Sequence, residues 1–144
     1  MRCCGSRAWA DGMLLGRPFP DRNALFLAAS EKWLGLGEKD WLEAFSHHPK
    51  IGDRNLGAAK WESQEQRGAQ GASEENLRAL ATGNEQYQRK FGFIFLVCAT
   101  GKTAEEMLGM LRLRMHNEPR IEIRVAMREQ EMITRIRLEK LLNS

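Results

Sequence analysis

The segment HHPKIGD, residues 47–53, places two neighbouring imidazoles, His47 and His48, directly before a proline. Apolar residues at helical spacing precede the pair, so the sequence predicts a helix over about residues 40–48 that ends before Pro49. Unpaired carbonyls at a helix C-terminus favour a cation, which biases either histidine towards imidazolium. The segment therefore offers a candidate proton donor, and a histidine that only caps a solvated helix end fits the same pattern.

A second polar group suited to chemistry lies in WESQEQ, residues 61–66. Glu65 and Gln66 follow a glycine-rich stretch and are close enough in sequence to fold back over His48. A carboxylate orients an imidazole and keeps it protonated, and a carboxamide pairs through two hydrogen bonds with an amide or a urea. The alternative interpretation of these two residues is an ordinary polar helix surface.

Two kinds of cofactor site are suggested by the sequence, and the spacing argues against both. ATGKT, residues 99–103, follows an apolar run and opens a helix, as a phosphate-binding loop does, but Leu96 stands where GxxxxGK[ST] needs its first glycine. Neighbouring helical side chains point about 100° apart, so His47 and His48 cannot both face one metal ion. We therefore expect neither a metal nor a nucleotide.

Length and composition indicate one ordinary globular domain over residues 1–144. Its 22 basic and 19 acidic residues are interleaved, which argues against a nucleic-acid partner. No apolar run approaches the roughly 20 residues that span a bilayer, which argues against a membrane partner. Cys3, Cys4 and Cys98 lack the number and spacing of a disulfide framework, so we expect a cytoplasmic protein.

Periodicity and capping signals predict an all-α fold of six or seven helices. The predicted helices cover about residues 22–34, 40–48, 58–69, 73–91, 103–115 and 119 to the end. The last is expected to be long and to face inward through Val125, Met132, Ile133 and Ile136. The apolar run FIFLVCA, residues 93–99, fits a buried strand and a buried helix turn equally well.

Charges of both signs alternate between residues 112 and 129. This pattern is typical of a solvated surface whose side chains pair with one another. The residues concerned are Arg112, Arg114, Arg120, Arg124 and Arg128, with Glu118, Glu122 and Glu129.

Read together, several segments resemble the family of 2-oxo-4-hydroxy-4-carboxy-5-ureidoimidazoline (OHCU) decarboxylases, which form (S)-allantoin in the degradation of urate. The resemblance covers nearly the whole chain. It is carried by CCGS at 3–6, RPF at 17–19, HPKIGD at 48–53, EQ at 65–66 and KFGFIFLVCATGK at 90–102. It implies an all-helical enzyme that needs no cofactor, acts on a small-molecule substrate and forms a homodimer.

The resemblance also implies roles for particular residues. It makes His48 the residue of proton transfer and Glu65 the carboxylate that sets its orientation and charge. It implies that the substrate is contacted by Pro49, Ser63, Gln66, Val97 and Ala99. His47 receives no role.

The chain departs from the family pattern at two positions. Glu62 stands where members often have a serine, and the nearest serine is Ser63. Thr100 stands where some members have an arginine, so the substrate carboxylate would be bound by a backbone donor, by Lys102 or by another cation.

Two other classes of protein remain open from the residues alone. One is a helical interaction module without catalysis, whose amphipathic C-terminal helix forms the partner surface. The other, less favoured, is a nucleotide-binding enzyme that uses the ATGKT turn.

Overall fold

A computed structural model of the chain describes residues 2–50 and 73–144. Across these two ranges the chain forms six α-helices and no β-strand, which confirms the all-α fold with a long C-terminal helix. The helices are α1 (Arg7–Leu15), α2 (Arg22–Leu34), α3 (Glu38–Ser46), α4 (Glu74–Phe91), α5 (Ala104–Arg114) and α6 (Pro119–Leu142). The helix predicted over residues 58–69 lies outside the described residues.

Packing divides the chain into two compact units. The first comprises Met1–His47 with Met127–Ser144, and the second comprises His48–Ala126. The long helix α6 begins in the second unit and continues into the first. A single domain over residues 1–144 stays a prediction.

Three buried tryptophans anchor the first unit through their indole N–H groups. Trp9 Nε1 donates to the Ala29 carbonyl at 3.1 Å, and Trp33 Nε1 donates to the Met127 carbonyl at 2.9 Å. Trp41 Nε1 donates to the Trp33 carbonyl at 3.2 Å. Each ring is thus buried with its polar atom satisfied, and the three bonds tie helices of this unit to one another.

Helix α1 was not among the predicted helices, and its start is stabilised by one local cap and by one contact from α3. The Ser6 hydroxyl accepts a hydrogen bond from the Trp9 backbone N–H at 3.2 Å. The Arg7 backbone N–H donates to Glu43 Oε1 of α3 at 2.6 Å. Two of the N–H groups that a helix start leaves unpaired are therefore satisfied, one of them by a residue far along the chain.

The second unit packs α4 against α5. α4 begins after its predicted cap Ser73 and ends at Gly92, whose φ of 82° lies in the left-handed region that suits glycine. α5 begins after Thr103, whose hydroxyl accepts from the Glu106 backbone N–H at 3.1 Å, as the predicted capping box requires. Both helix starts follow from local sequence.

The apolar run at residues 93–99 is neither of the two structures predicted for it. It is irregular in conformation, although Phe95, Leu96, Val97, Cys98 and Ala99 are all buried. The described ranges contain no strand with which it might pair. Side chains bond two of its carbonyls instead, those of Leu96 and Cys98, so these two groups are satisfied without a sheet or a helix.

The inward face of α6 differs from the predicted one. Ile133 is buried, whereas Val125 and Ile136 are half-buried and Met132 is 44% exposed. The helix also buries polar side chains, namely Glu122, Glu129, Gln130, Thr134 and Arg137. Thr134, for example, donates to the Cys3 carbonyl and accepts from Gln130 Nε2. A hydrophobic pattern cannot locate a face whose buried positions are partly polar.

Candidate functional site

The two histidines lie just after a helix, not in its last turn as predicted. α3 runs from Glu38 to Ser46, and His47 is its C-cap residue, whose backbone N–H donates to the Ala44 carbonyl at 3.2 Å. Proline disfavours helical geometry in the residue before it, so the helix stops short of His48. His47 is exposed and His48 is half-buried. The two histidines therefore differ in their exposure to solvent.

His47 has a packing role that the sequence did not indicate. Its side chain lies directly on the backbone of Gly5: a Cβ added at Gly5 would come within 2.7 Å of His47 Cγ and Cδ2 and within 2.8 Å of its Cβ. Only a residue without a side chain fits so close to the histidine. The CCGS segment thus contacts the end of α3 within the first unit.

Replacing Gly5 with alanine should therefore destabilise the protein by about 1–3 kcal/mol, the usual cost of forcing an extra methyl into a packed site. The clash involves the Cβ of His47, which cannot swing away as a chain end does. Urea denaturation measures the loss.

Gly109→Ala is a matched control, because a Cβ at this exposed position in α5 meets nothing within 4 Å. It should raise stability by up to about 1 kcal/mol through helix propensity. Equal stability of Gly5→Ala and the original protein would contradict the close contact.

The structure describes part of the predicted site. His48, Pro49, Val97 and Ala99 all belong to the second unit. His48 and Pro49 are half-buried, whereas Val97 is 4% and Ala99 5% exposed. Glu65, Gln66 and Ser63 lie outside the described residues, so their approach to His48 stays a prediction.

Two cationic side chains hold the irregular segment that carries Val97 and Ala99. Arg114 Nη1 donates to the Leu96 carbonyl at 2.8 Å. Lys102 Nζ donates to the Cys98 carbonyl at 2.7 Å. Hydrogen bonds from charged donors are stronger than neutral ones, so these two carbonyls are firmly placed.

Arg114 belongs to a buried ion-pair cluster, which we define as Tyr87, Arg114, Asn117 and Glu122. Glu122 Oε2 accepts from Arg114 Nε at 2.7 Å, lies 2.6 Å from Arg114 Nη2, and accepts from the Tyr87 hydroxyl. Glu122 Oε1 accepts from Asn117 Nδ2 at 2.9 Å. Both oxygens of a fully buried carboxylate are therefore satisfied, which is the condition for keeping a charge in the interior.

The buried cluster corrects the expectation that all these charges lie on a solvated surface. Arg114 is 7% exposed and Glu122 is 0% exposed. The sequence held a signal for Arg114, because it lies three residues after Leu111 and seven after Met107 on the apolar face of α5. An arginine on the buried face of a helix needs a buried partner that pairs with its charge.

Burial affects the acidity of two side chains. It raises the pKa of Tyr87 well above the usual range, and the hydrogen bond to Glu122 raises it further, so Tyr87 is a neutral donor. Burial also raises the pKa of the Cys4 thiol to about 11, with only partial opposition from hydrogen bonds to Ser6 and Thr134. Since the thiolate is the nucleophile, Cys4 is a poor candidate for covalent catalysis near neutral pH.

The described residues give no support to the alternative sites. Within residues 2–50 and 73–144 no group of three or more His, Cys, Asp or Glu side chains is placed to hold a metal. In ATGKT, Gly101 has a φ of 78° and Lys102 binds the Cys98 carbonyl, so the turn leads the chain into α5. None of the described helices is both long and apolar enough for a bilayer.

Known proteins resemble this chain over nearly its whole length. The OHCU decarboxylase family model matches residues 1–139. The uric acid degradation bifunctional protein TTL of Arabidopsis thaliana is 38% identical over 147 residues, which cover 98% of this chain and 45% of that protein. The 2-oxo-4-hydroxy-4-carboxy-5-ureidoimidazoline decarboxylase of Amia calva is 32% identical over 137 residues, which cover 88% of this chain and 75% of that protein.

A solved structure extends the similarity to the fold. The crystal structure of OHCU decarboxylase in the presence of (S)-allantoin superposes with a TM-score of 0.86 and 38% sequence identity. The match covers 99% of this chain and 96% of that chain. By contrast, the chain spans less than half the length of the Arabidopsis relative, at 45%.

Proposed function

The chain belongs to the OHCU decarboxylase family, and we propose that it converts OHCU to (S)-allantoin and carbon dioxide in the degradation of urate. The observation that carries the proposal is the match, along almost its full length, to a decarboxylase solved in the presence of (S)-allantoin. The family match over residues 1–139 supports a single functional domain as well.

The chemistry of the substrate explains how a chain with only its own side chains can catalyse this reaction. The carboxylate leaves from a carbon that also bears a hydroxyl and lies next to a ring C=N. When the C–C bond breaks, its electron pair flows towards the imine, whose nitrogen takes a proton. The hydroxyl then loses its proton as a carbonyl forms, and the enamine-like carbon takes a proton on one face. The enzyme must therefore orient the carboxylate, exclude water and control these proton transfers.

His48 is the residue to which we assign proton transfer. It directly follows the C-cap residue of α3 and is half-buried, which leaves it accessible to a substrate and partly shielded from water. Glu65 is proposed to orient its imidazole and stabilise the imidazolium form. Pro49, its neighbour in the chain, is half-buried as well and is proposed as a substrate contact.

Gln66 and Ser63 are proposed to bind the polar groups of the substrate, with Gln66 pairing with its ureido or ring amide. Val97 and Ala99 are proposed to contact the substrate from the buried segment of residues 93–99. For the substrate carboxylate we favour a backbone donor near Thr100, because Lys102 is directed towards the Cys98 carbonyl by its own hydrogen bond.

The proposed assembly is a homodimer, and the proposed compartment is the cytoplasm. All three cysteines lie in the described part of the chain and are thiols, which supports a reducing environment. Light scattering after gel filtration tests the dimer directly.

The function is tested by mixing the protein with freshly made OHCU and following the optical activity of the allantoin formed. We expect fast production of the S enantiomer, and we expect the same rate after exhaustive dialysis against a chelator. Formation of racemic allantoin at the uncatalysed rate would refute the proposal and leave a non-catalytic helical module as the better interpretation. Activity that returns only with an added metal ion or nucleotide would refute its cofactor-free form.

Glu65→Gln and Gln66→Ala should damage different steps. The amide in place of Glu65 keeps the shape and removes the charge, so kcat should fall more than KM rises. Gln66 offers a donor and an acceptor that serve the bound substrate and the transition state alike, so its loss should raise KM as well. Steady-state kinetics on fresh substrate, with the optical purity of the product, separates the two. Full turnover and full chirality in Glu65→Gln would remove Glu65 from the mechanism.

A further inference from the structure

The segment that carries Val97 and Ala99 takes its shape from side chains elsewhere in the second unit. It is irregular, so no helix or sheet determines the direction of its peptide groups. Two side chains anchor it: Arg114 donates to the Leu96 carbonyl, and Lys102 donates to the Cys98 carbonyl. These two carbonyls immediately precede the two proposed substrate contacts.

We propose that Arg114 and Lys102 are positioning residues that aim the backbone N–H groups of Val97 and Ala99, an inference that rests on the proposed function for its catalytic consequence. The link is the planarity of the peptide bond. The Leu96 carbonyl and the Val97 N–H belong to one rigid plane and point in opposite directions, and the same holds for Cys98 and Ala99. A side chain that fixes the carbonyl therefore fixes the N–H on the other side.

Arg114 is suited to this role because Glu122 holds its guanidinium in a fixed orientation. Nε and Nη2 engage Glu122, which leaves Nη1 directed at the carbonyl. The ring of Phe95 lies against the same guanidinium, with its centroid 4.7 Å from Cζ. The planar guanidinium of arginine can donate to the carboxylate and to the carbonyl at the same time. The ammonium of a lysine is instead a point charge on a flexible side chain.

Lys102 supplies the second anchor in a different way. Its ammonium reaches back four residues to the Cys98 carbonyl at 2.7 Å and is only partly buried. Substitution there perturbs the segment without leaving a buried charge. The two anchors therefore allow one test inside the core and one near the surface.

The first test is Arg114→Lys, which keeps the charge facing Glu122 and loses the fixed geometry. We expect kcat/KM to fall on the order of 10²-fold, the typical cost of a displacement of about 1 Å in positioned groups. Leu111→Ala is the control, because Leu111 is a buried side chain of the same helix that has no donor for the segment's carbonyls, and its truncation opens a cavity and lowers the melting temperature. It should keep kcat/KM within about three-fold. If Arg114→Lys retains kcat/KM to the same degree, Arg114 has only a structural role and the proposal fails.

The second test is Lys102→Met beside Lys102→Arg. Methionine removes the donor and should lower kcat/KM about ten-fold, the equivalent of one hydrogen bond lost. Arginine retains a donor and should recover most of the rate. Equal rates for the two variants would overturn the role of Lys102.

A readout without substrate separates this inference from the proposed function. In ¹H–¹⁵N spectra of the full chain, Arg114→Lys should shift the Val97 amide, and Lys102→Met should shift the Ala99 amide, whereas Leu111→Ala should move neither. If the original protein fails to convert OHCU, the proposed function falls and the spectra alone decide whether the amides are aimed as described. Unchanged amide positions in Arg114→Lys and Lys102→Met would overturn the inference even in an active enzyme.

Discussion

His48→Ala should lose about 10²- to 10⁴-fold in kcat with its helical structure intact, because a positioned proton-transfer group contributes about that much to catalysis. His48 is half-buried after the end of α3, so truncating it leaves the helix and its caps in place. The loss should appear in turnover more than in KM, since proton transfer belongs to the transition state. Stopped-flow or fast mixing with fresh OHCU measures it.

His47→Ala is the matched control, because the same side chain is removed one residue away. It should keep kcat within a few-fold. Its expected cost is in stability, since the His47 ring packs on Gly5 and its removal leaves that contact unfilled. Equal loss of turnover in the two variants, with unchanged circular dichroism, would show that the imidazoles act together or that the wrong one was assigned.

The parts of the fold that the sequence predicted are those determined by neighbouring residues. Ser73, Thr103 and Gly92 begin or end helices where predicted, because capping depends on atoms three or four positions away. The end of α3 before Pro49 has the same kind of cause. The start of α1 was missed partly because Glu43, far along the chain, completes its cap.

The parts that escaped prediction depend on partners distant in sequence. Residues 93–99 are as apolar as a buried strand, yet they form none, and the Leu96 carbonyl is bonded by Arg114, which is 18 residues further along the chain. The buried face of α6 contains Glu122 because Tyr87 and Arg114 satisfy it from two other helices. Hydropathy assigns such residues to the surface, because it scores a side chain without its partners.

In the candidate site, too, some features follow from neighbouring residues and others from partners distant in sequence. His48 and Pro49 are recognisable locally, from a proline that ends a helix after a histidine pair. The Leu96 carbonyl, which precedes Val97, is bonded by Arg114 from 18 residues further along the chain, a contact that no local pattern encodes. Sequence therefore suggests the chemical groups of the candidate site, whereas contacts among α4, α5 and α6 hold the backbone on which part of that candidate site lies.

Glu122→Gln should lower the free energy of unfolding by about 3–5 kcal/mol, the usual cost of removing one partner of a buried ion pair. Glu122 is 0% exposed and Arg114 7%, so the guanidinium left behind has little access to water. Glutamine keeps the approximate shape, so the loss reports the missing charge more than a cavity. Urea denaturation of the two proteins measures the difference.

Glu139→Gln provides the matched control on the same helix. Glu139 Oε1 lies 3.5 Å from Arg135 Nε, and this ion pair is exposed: the Arg135 side chain is 62% and the Glu139 side chain 43% accessible to solvent. That change should cost no more than about 0.5 kcal/mol, because water and salt already screen such a pair.

A double variant, Arg114→Met with Glu122→Leu, removes both buried charges and should be more stable than Glu122→Gln alone. Its turnover should nevertheless stay low, because the Leu96 carbonyl has lost its anchor. A double variant that is as unstable as Glu122→Gln would show that the cost comes from the loss of packing or hydrogen bonds, and not from an uncompensated buried charge.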